Sequence, residues 1–202
     1  MARLAASSFR TNAFPGDAPL IAKTFQTFGG LDILVNNAAI ALQGKTIDDP
    51  EIDNTALDRQ WAINTLGVIA NIRAAARVLA EGGRIISIGS GVGTRFAFPG
   101  MTDYAASKAA IVAYSKGAAR DLGARKITVN VVQPGVMDTD MAASALGAIG
   151  PVEELPPGFK ETHAIQRVAT LSEVAAAVVF LAGPDAGYIT GSVLDVNGGY
   201  TA

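Results

Sequence analysis

The segment YAASK, residues 104–108, places a phenol and an ammonium four positions apart. On a helix, residues i and i+4 share a face, so Tyr104 and Lys108 point the same way. A lysine ammonium beside a phenol favours the phenolate and lowers a reference pKa of about 10 toward the range useful for general acid–base work. The same spacing also suits an ordinary helical surface pair, and five residues cannot separate the two readings. Ser90, in GRIISIGSGVG, stands just past an apolar run. A hydroxyl there could hold a substrate oxygen while Tyr104 transfers a proton and Lys108 tunes it. Asn64, in RQWAIN, falls mid-helix, where asparagine has poor propensity, and reads equally well as a solvated face residue. Metal and Ser-His chemistry fare worse. There is no Cys, and the one His, His163, lies in a Gly- and Pro-rich stretch as a surface or lid residue.

These side chains need a frame that brings them together. Half of the 202 residues are hydrophobic and 17% are charged, a globular balance, and a single domain over 1–202 is expected. A net charge of −2 without a basic stripe argues against nucleic acid or an anionic membrane as partner. No apolar run reaches the about 18 residues of a membrane span. Absence of Cys suits a reducing, cytoplasmic setting.

Asp17 can cap a helix with Pro19 in its first turn, stopped by Gly29-Gly30. LDILV (31–35) reads as a strand, 56–80 as a long helix, RIISIG (84–89) as a strand and 104–122 as a helix. ITVNVV (127–132) is a further strand, and 142–166 a Gly- and Pro-rich excursion expected to be mobile. Ser172 caps a helix to Leu181, and SVLDV (192–196) is a last strand before Gly198-Gly199. Short apolar strands alternating with helices indicate a parallel sheet covered on both faces. In such sheets ligands sit beyond the carboxyl ends of the strands, and Asn36, Ser90 and Pro134-Gly135 all follow strands.

In LDILVNNAAI, WAIN, GRIISIGS, YAASKAAI, ITVNVVQPGVMDTDM and ITGSVLDVNGG, which together span residues 28–199, the chain resembles the short-chain dehydrogenase/reductase family. Within it, the nearest look is to reductases of the 3-oxoacyl-carrier-protein type. The resemblance implies a Rossmann-like, doubly wound α/β sheet and an NAD- or NADP-dependent exchange between a small-molecule carbonyl and its alcohol. It makes Tyr104 the acid/base and gives Ser90 the reacting oxygen. It has Lys108 bind the nicotinamide ribose and depress the Tyr104 pKa, and Asn64 hold a water that relays protons through Lys108. It places Asn36 and Ala38 near the adenosine side, and the Met137 backbone and Thr139 around the carboxamide. Ser90 aligns better with the catalytic serine than Ser87. The family also implies homodimers or homotetramers packed through helices 56–80 and 104–122, where Ala74, Ala75, Ala109, Ala110 and Ala113 are small enough for close contact.

Two departures stand out. Ala39 replaces the glycine of the usual NNAG. More consequentially, family members open with a strand and a glycine-rich turn, TGxxxGIG, whose backbone amides cradle the pyrophosphate, and no such turn precedes Asn36. The expectation is an N-terminally truncated fold that lacks two β/α units, roughly 50–60 residues, and binds free dinucleotide weakly. RLAASSFR is what remains of a third strand, giving weak cover to strand 31–35. A non-catalytic binding or oligomerisation module built on the same fold is the alternative.

Overall fold

The computed structural model describes residues 4–6, 19–95, 98–142, 158 and 160–202. Among these, five strands form one wholly parallel sheet. Their spatial order is their chain order: β1 (Leu4–Ala6), β2 (Leu31–Asn36), β3 (Leu79–Ile88), β4 (Thr128–Pro134) and β5 (Val193–Val196). Five α-helices accompany them: α1 (Pro19–Phe28), α2 (Asn54–Trp61), α3 (Val68–Val78), α4 (Thr102–Leu122) and α5 (Leu171–Ala182). This is a Rossmann-like α/β architecture.

Successive strand residues point to opposite faces, and that alternation divides the core. Ile85 and Val129 pack with Ile21 of α1, Ile72 of α3 and Ile111 of α4 on one face. Ile86 and Val132 pack with Val174 and Leu181 of α5 on the other. Every residue of β4 is buried, Thr128 and Asn130 included, and ITVNVV accordingly reads as a short, charge-free and mostly apolar run.

The expected helix over 56–80 is interrupted. Asp53 caps its start by accepting from the Ala56 N–H at 3.0 Å. Residues Ala62–Gly67 then form a π-helical segment before α3 continues. It ends at Val78 because Leu79 turns extended and enters β3, which therefore starts earlier than residue 84. The extra residues are absorbed by a register shift between Leu31/Leu79 and Ile33/Arg84, with Gly82 at φ 77°. The cap of α5 is Thr170, not Ser172: Thr170 and Glu173 form a reciprocal capping box.

At the other sheet edge, Leu4, Ala5 and Ala6 pair with Ile33, Leu34 and Val35, so β2 is flanked on both sides, although by only three residues on one of them. Asp17 and most of 142–166 lie outside the described residues. Of the alanines expected at a helix–helix interface, Ala75 is fully buried in the α1/α3/α4 core and has no surface to offer, whereas Ala113 is exposed.

Candidate functional site

A cavity of about 450 Å³ opens at the carboxyl ends of β2, β3 and β4. Parallel strands direct their connecting loops to this edge, so residues distant in sequence meet there. Ser90, Tyr104 and Lys108 all line it, together with Ala38, Met137 and Thr139.

Ser90 follows β3 in extended conformation, and the chain then tightens into a 3₁₀ turn at Gly91–Gly93. Tyr104 and Lys108 sit in the first two turns of α4, both buried. The Lys108 Nζ lies 5.7 Å from the Tyr104 ring centroid and donates to the Ile88 carbonyl at 3.0 Å. Burial pushes the Tyr104 phenol above its usual range, and the hydrogen bond with Ser90 pulls partly the other way. Burial lowers the Lys108 ammonium to about 8. The net shift of Tyr104 is upward because removing the phenol from water outweighs the Ser90 hydrogen bond, and the same desolvation discourages the Lys108 charge. At neutral pH Tyr104 is a protonated donor.

Asn64 does not line the cavity. It is fully buried in the π-helical segment, where its Oδ1 accepts from the Ile40 N–H at 2.9 Å. Its Nδ2 donates to the Ile40 carbonyl at 2.8 Å and to Ser107 Oγ at 3.3 Å. Thr65 donates to the Ser107 carbonyl at 3.1 Å. The π segment therefore grips α4 between Tyr104 and Lys108 and braces the 38–41 loop, a local deviation of the kind that recurs at functional sites.

Asn36 requires a correction. Its Nδ2 donates to Ser87 Oγ at 3.3 Å and its Oδ1 accepts from Asn71 Nδ2 at 3.1 Å. The amide is spent inside the sheet–helix interface, and it is Asn37 that lines the cavity. Ser87 likewise is fully buried in β3 as the Asn36 acceptor, which leaves Ser90 as the serine on the cavity.

Sequence reasoning missed Tyr200 and left His163 as a surface or lid residue. Both line the cavity, 4% and 7% exposed, with ring centroids 5.1 Å apart. The available signal for Tyr200 was its place just after Gly198-Gly199, whose φ values of 61° and 79° turn the chain back toward the sheet edge. Val92, Phe98, Met101, Met141 and Leu171 give the rest of the wall an apolar character. No cluster of three or more metal-ligating side chains occurs among the described residues.

A parallel α/β sheet with a cavity at its carboxyl edge, holding a buried Tyr–Lys pair beside a serine, is the framework of a nucleotide-dependent oxidoreductase. The family model described as enoyl-(acyl carrier protein) reductase matches residues 18–201. The chain is 39% identical over 202 residues to the cyclic-di-GMP-binding biofilm dispersal mediator protein of Escherichia coli, covering 99% of this chain and 81% of that one. It is 40% identical over 181 residues to the 3-oxoacyl-(acyl-carrier-protein) reductase of Haemophilus influenzae, covering 85% of this chain and 68% of the relative. The solved structure of a short-chain dehydrogenase from Burkholderia cenocepacia in complex with NADP matches with a TM-score of 0.82 at 42% identity, over 94% of this chain and 75% of that one. The chain belongs to the short-chain dehydrogenase/reductase family, whose members are NAD(P)-dependent oxidoreductases.

Proposed function

We propose that the chain interconverts a small-molecule carbonyl and its alcohol, with Tyr104 as the proton-transfer group. The observation that carries this reading is the buried Tyr104 phenol, which faces a cavity beside the Ser90 hydroxyl and the Lys108 ammonium. A nicotinamide dinucleotide would supply or accept the hydride at the reacting carbon. The donor set fits the nicotinamide–ribose end of such a group. Lys108 has one protein acceptor among the described residues, Ile88 O, so further N–H donors remain for ribose hydroxyls. Thr139 and the Met137 backbone would hold the carboxamide, and Ala38 would lie toward the adenosine.

In the reductive direction Ser90 donates a hydrogen bond to the carbonyl oxygen, and Tyr104 gives that oxygen its proton as the carbon is reduced. The phenolate left behind is stabilised by the Lys108 ammonium while it is reprotonated. Asn64 supports this as a positioning residue: its amide is taken up by Ile40 and Ser107, so it fixes the cavity wall and the helix that carries Tyr104. The same reading includes self-association through the outer faces of α3 and α4, without Ala75.

Tyr104→Phe is the direct test. It removes the proton donor and keeps the ring, so turnover with NADH or NADPH should fall about 100-fold or more at unchanged melting temperature. Normal turnover by the phenylalanine variant would overturn the assignment.

A non-catalytic binding module is the second reading, and one relative favours it: the 39% identical protein of Escherichia coli is named as a cyclic-di-GMP-binding mediator. A turnover assay of the unaltered chain on small ketones with NADH and NADPH separates the readings, because reduction belongs only to the first.

A further inference from the structure

We infer that Tyr200 and Arg95 form a staple that positions the Ser90 turn and sets the shape of the substrate side of the cavity. This rests on the reading of Ser90 as the residue that holds the reacting oxygen.

The turn after β3 must present Ser90 to the cavity, yet Gly91 and Gly93 give it no side chains with which to anchor itself. It is held instead by its surroundings, from three directions. On the β4 side, Thr94 donates to the buried Gln133 Oε1 at 3.2 Å. On the α4 side, Gly93 lies so close to Lys108 and Ala109 that a Cβ there would meet the Ala109 nitrogen at 3.0 Å. The third support comes from the turn after β5, more than a hundred residues away in sequence. The Tyr200 hydroxyl donates to the Arg95 carbonyl at 3.0 Å, and the Arg95 guanidinium donates back to the Tyr200 carbonyl. The guanidinium carbon also stands 5.3 Å from the Tyr200 ring centroid, within cation–π range. The ring itself is pressed against Gly91, where an added Cβ would lie 2.9 Å from Tyr200 Cδ1.

Tyr200 also reaches the opposite wall. The His163 ring lies against it at a tilt of 34°, and Arg95 extends to the Thr162 carbonyl at 3.5 Å. The Ile165 N–H donates to the Gly198 carbonyl at 2.8 Å. Gly198 and Gly199 are what permit this approach. Both have left-handed φ, and a Cβ on Gly199 would sit 2.8 Å from the Ala164 Cβ. One buried aromatic side chain thus joins the Ser90 turn to the 162–165 segment across the cavity rim. Tyr200 is a positioning residue for Ser90 and a wall residue for whatever carbonyl compound occupies the cavity.

The test compares Tyr200→Phe, Tyr200→Ala and Arg95→Met with the unaltered chain by two readouts. The first is hydrogen exchange of the Gly93, Thr94 and Arg95 amides, which bond back to Ser90 and Gly91 and report the turn without requiring turnover. Exchange should accelerate at least tenfold in Tyr200→Ala and less in Tyr200→Phe, which keeps the ring against Gly91. Protection unchanged in all three variants would overturn the staple. The second readout is the ratio of kcat/KM for a bulky and a small neutral ketone, a ratio that a merely lowered folded fraction leaves alone. It should shift at least fivefold toward the bulky ketone in Tyr200→Ala, with Kd for NADPH within twofold of the parent. An unmoved ratio would overturn the wall role. Ser90→Ala keeps the two levels apart: if it retains full turnover, the reading of Ser90 fails, whatever the Tyr200 variants do. If Ser90→Ala is inactive while all three staple variants behave as the parent, the staple alone fails.

Discussion

Two buried polar clusters, one behind the carboxyl edge of the sheet and one at it, are built from similar residues and behave in opposite ways. Asn36, Ser87 and Asn71 bond to one another between β2, β3 and α3, and none of them lines the cavity. Ser90, only three residues beyond Ser87 and just past the end of β3, lines the cavity with Tyr104 and Lys108, and burial shifts the pKa values of the latter two. The first cluster satisfies itself and specifies how strands and helix fit. On the proposed function, the second is the one that meets a ligand. What distinguishes the two clusters is where their polar groups face, into the sheet–helix interface or into the cavity. A missing partner does not, since buried groups away from the cavity such as Ser115 Oγ and Thr128 Oγ1 also lack one among the described residues.

The sharpest way to break this contrast is Lys108→Met. If the lysine serves chemistry at a cost to the fold, turnover should drop about 100-fold or more while the melting temperature rises. Burial has lowered its ammonium to about 8 from a reference of 10.5, so folding at pH 7 works against that charge. Each kcal/mol recovered should raise the melting temperature by about 2–4 °C in a chain of this size. Calorimetry and a turnover assay on the same preparation decide the matter. A variant that is both inactive and less stable would place Lys108 in the structural class.

Asn36→Ala should show the reverse. It strands a buried amide on Asn71 and removes the donor to Ser87, at about 1–3 kcal/mol for each group left unpaired. Urea denaturation should reveal a loss of roughly 2–6 kcal/mol, with kcat per folded molecule within twofold of the parent. A selective loss of kcat, with stability kept, would return Asn36 to the site.

The contrast between the clusters also marks what could be seen in the sequence. Parallel strands were legible because β4 is buried on both faces and holds no charged residue, with valines on either side of Asn130. Tyr104, Lys108 and Ser90 were legible because helical spacing and a strand end fix where those side chains go. Asn36 was misplaced because a run such as NNAA does not say which asparagine turns inward, and pairing with Ser87 and Asn71 settles that only in three dimensions. The π-helical segment around Asn64 was hidden for the same reason, since its contacts are to Ile40 and to Ser107 on another helix. Tyr200 reaches the site through the backbone conformation of two glycines, and its partner Arg95 lies 105 residues away. The direction of the Tyr104 shift depended on burial, which spacing cannot convey.

The smallest expected effect is a pH dependence of stability, and it follows from the second cluster alone. Lys108 titrates at about 8 in the folded chain against an ordinary 10.5 once unfolded. Between those values the unfolded chain binds more protons than the folded one, so stability rises with pH, by at most about 1.4 kcal/mol per unit. Tyr104 acts in the opposite sense. Its folded pKa is raised above 10.0, so above that pH the folded chain keeps a proton that the unfolded chain has lost, and stability falls. The stability curve should therefore climb from pH 8 to about 10 and then turn over. Lys108→Met should abolish the climb and keep the fall, whereas Asn36→Ala should lower the whole curve without changing its shape. Urea melts at pH 7.5, 8.5 and 9.5 on the three chains test the climb, and a further melt at about pH 11 tests the fall. A parent curve that is flat or falling over that range would show that the buried lysine is not carrying the desolvation cost assigned to it.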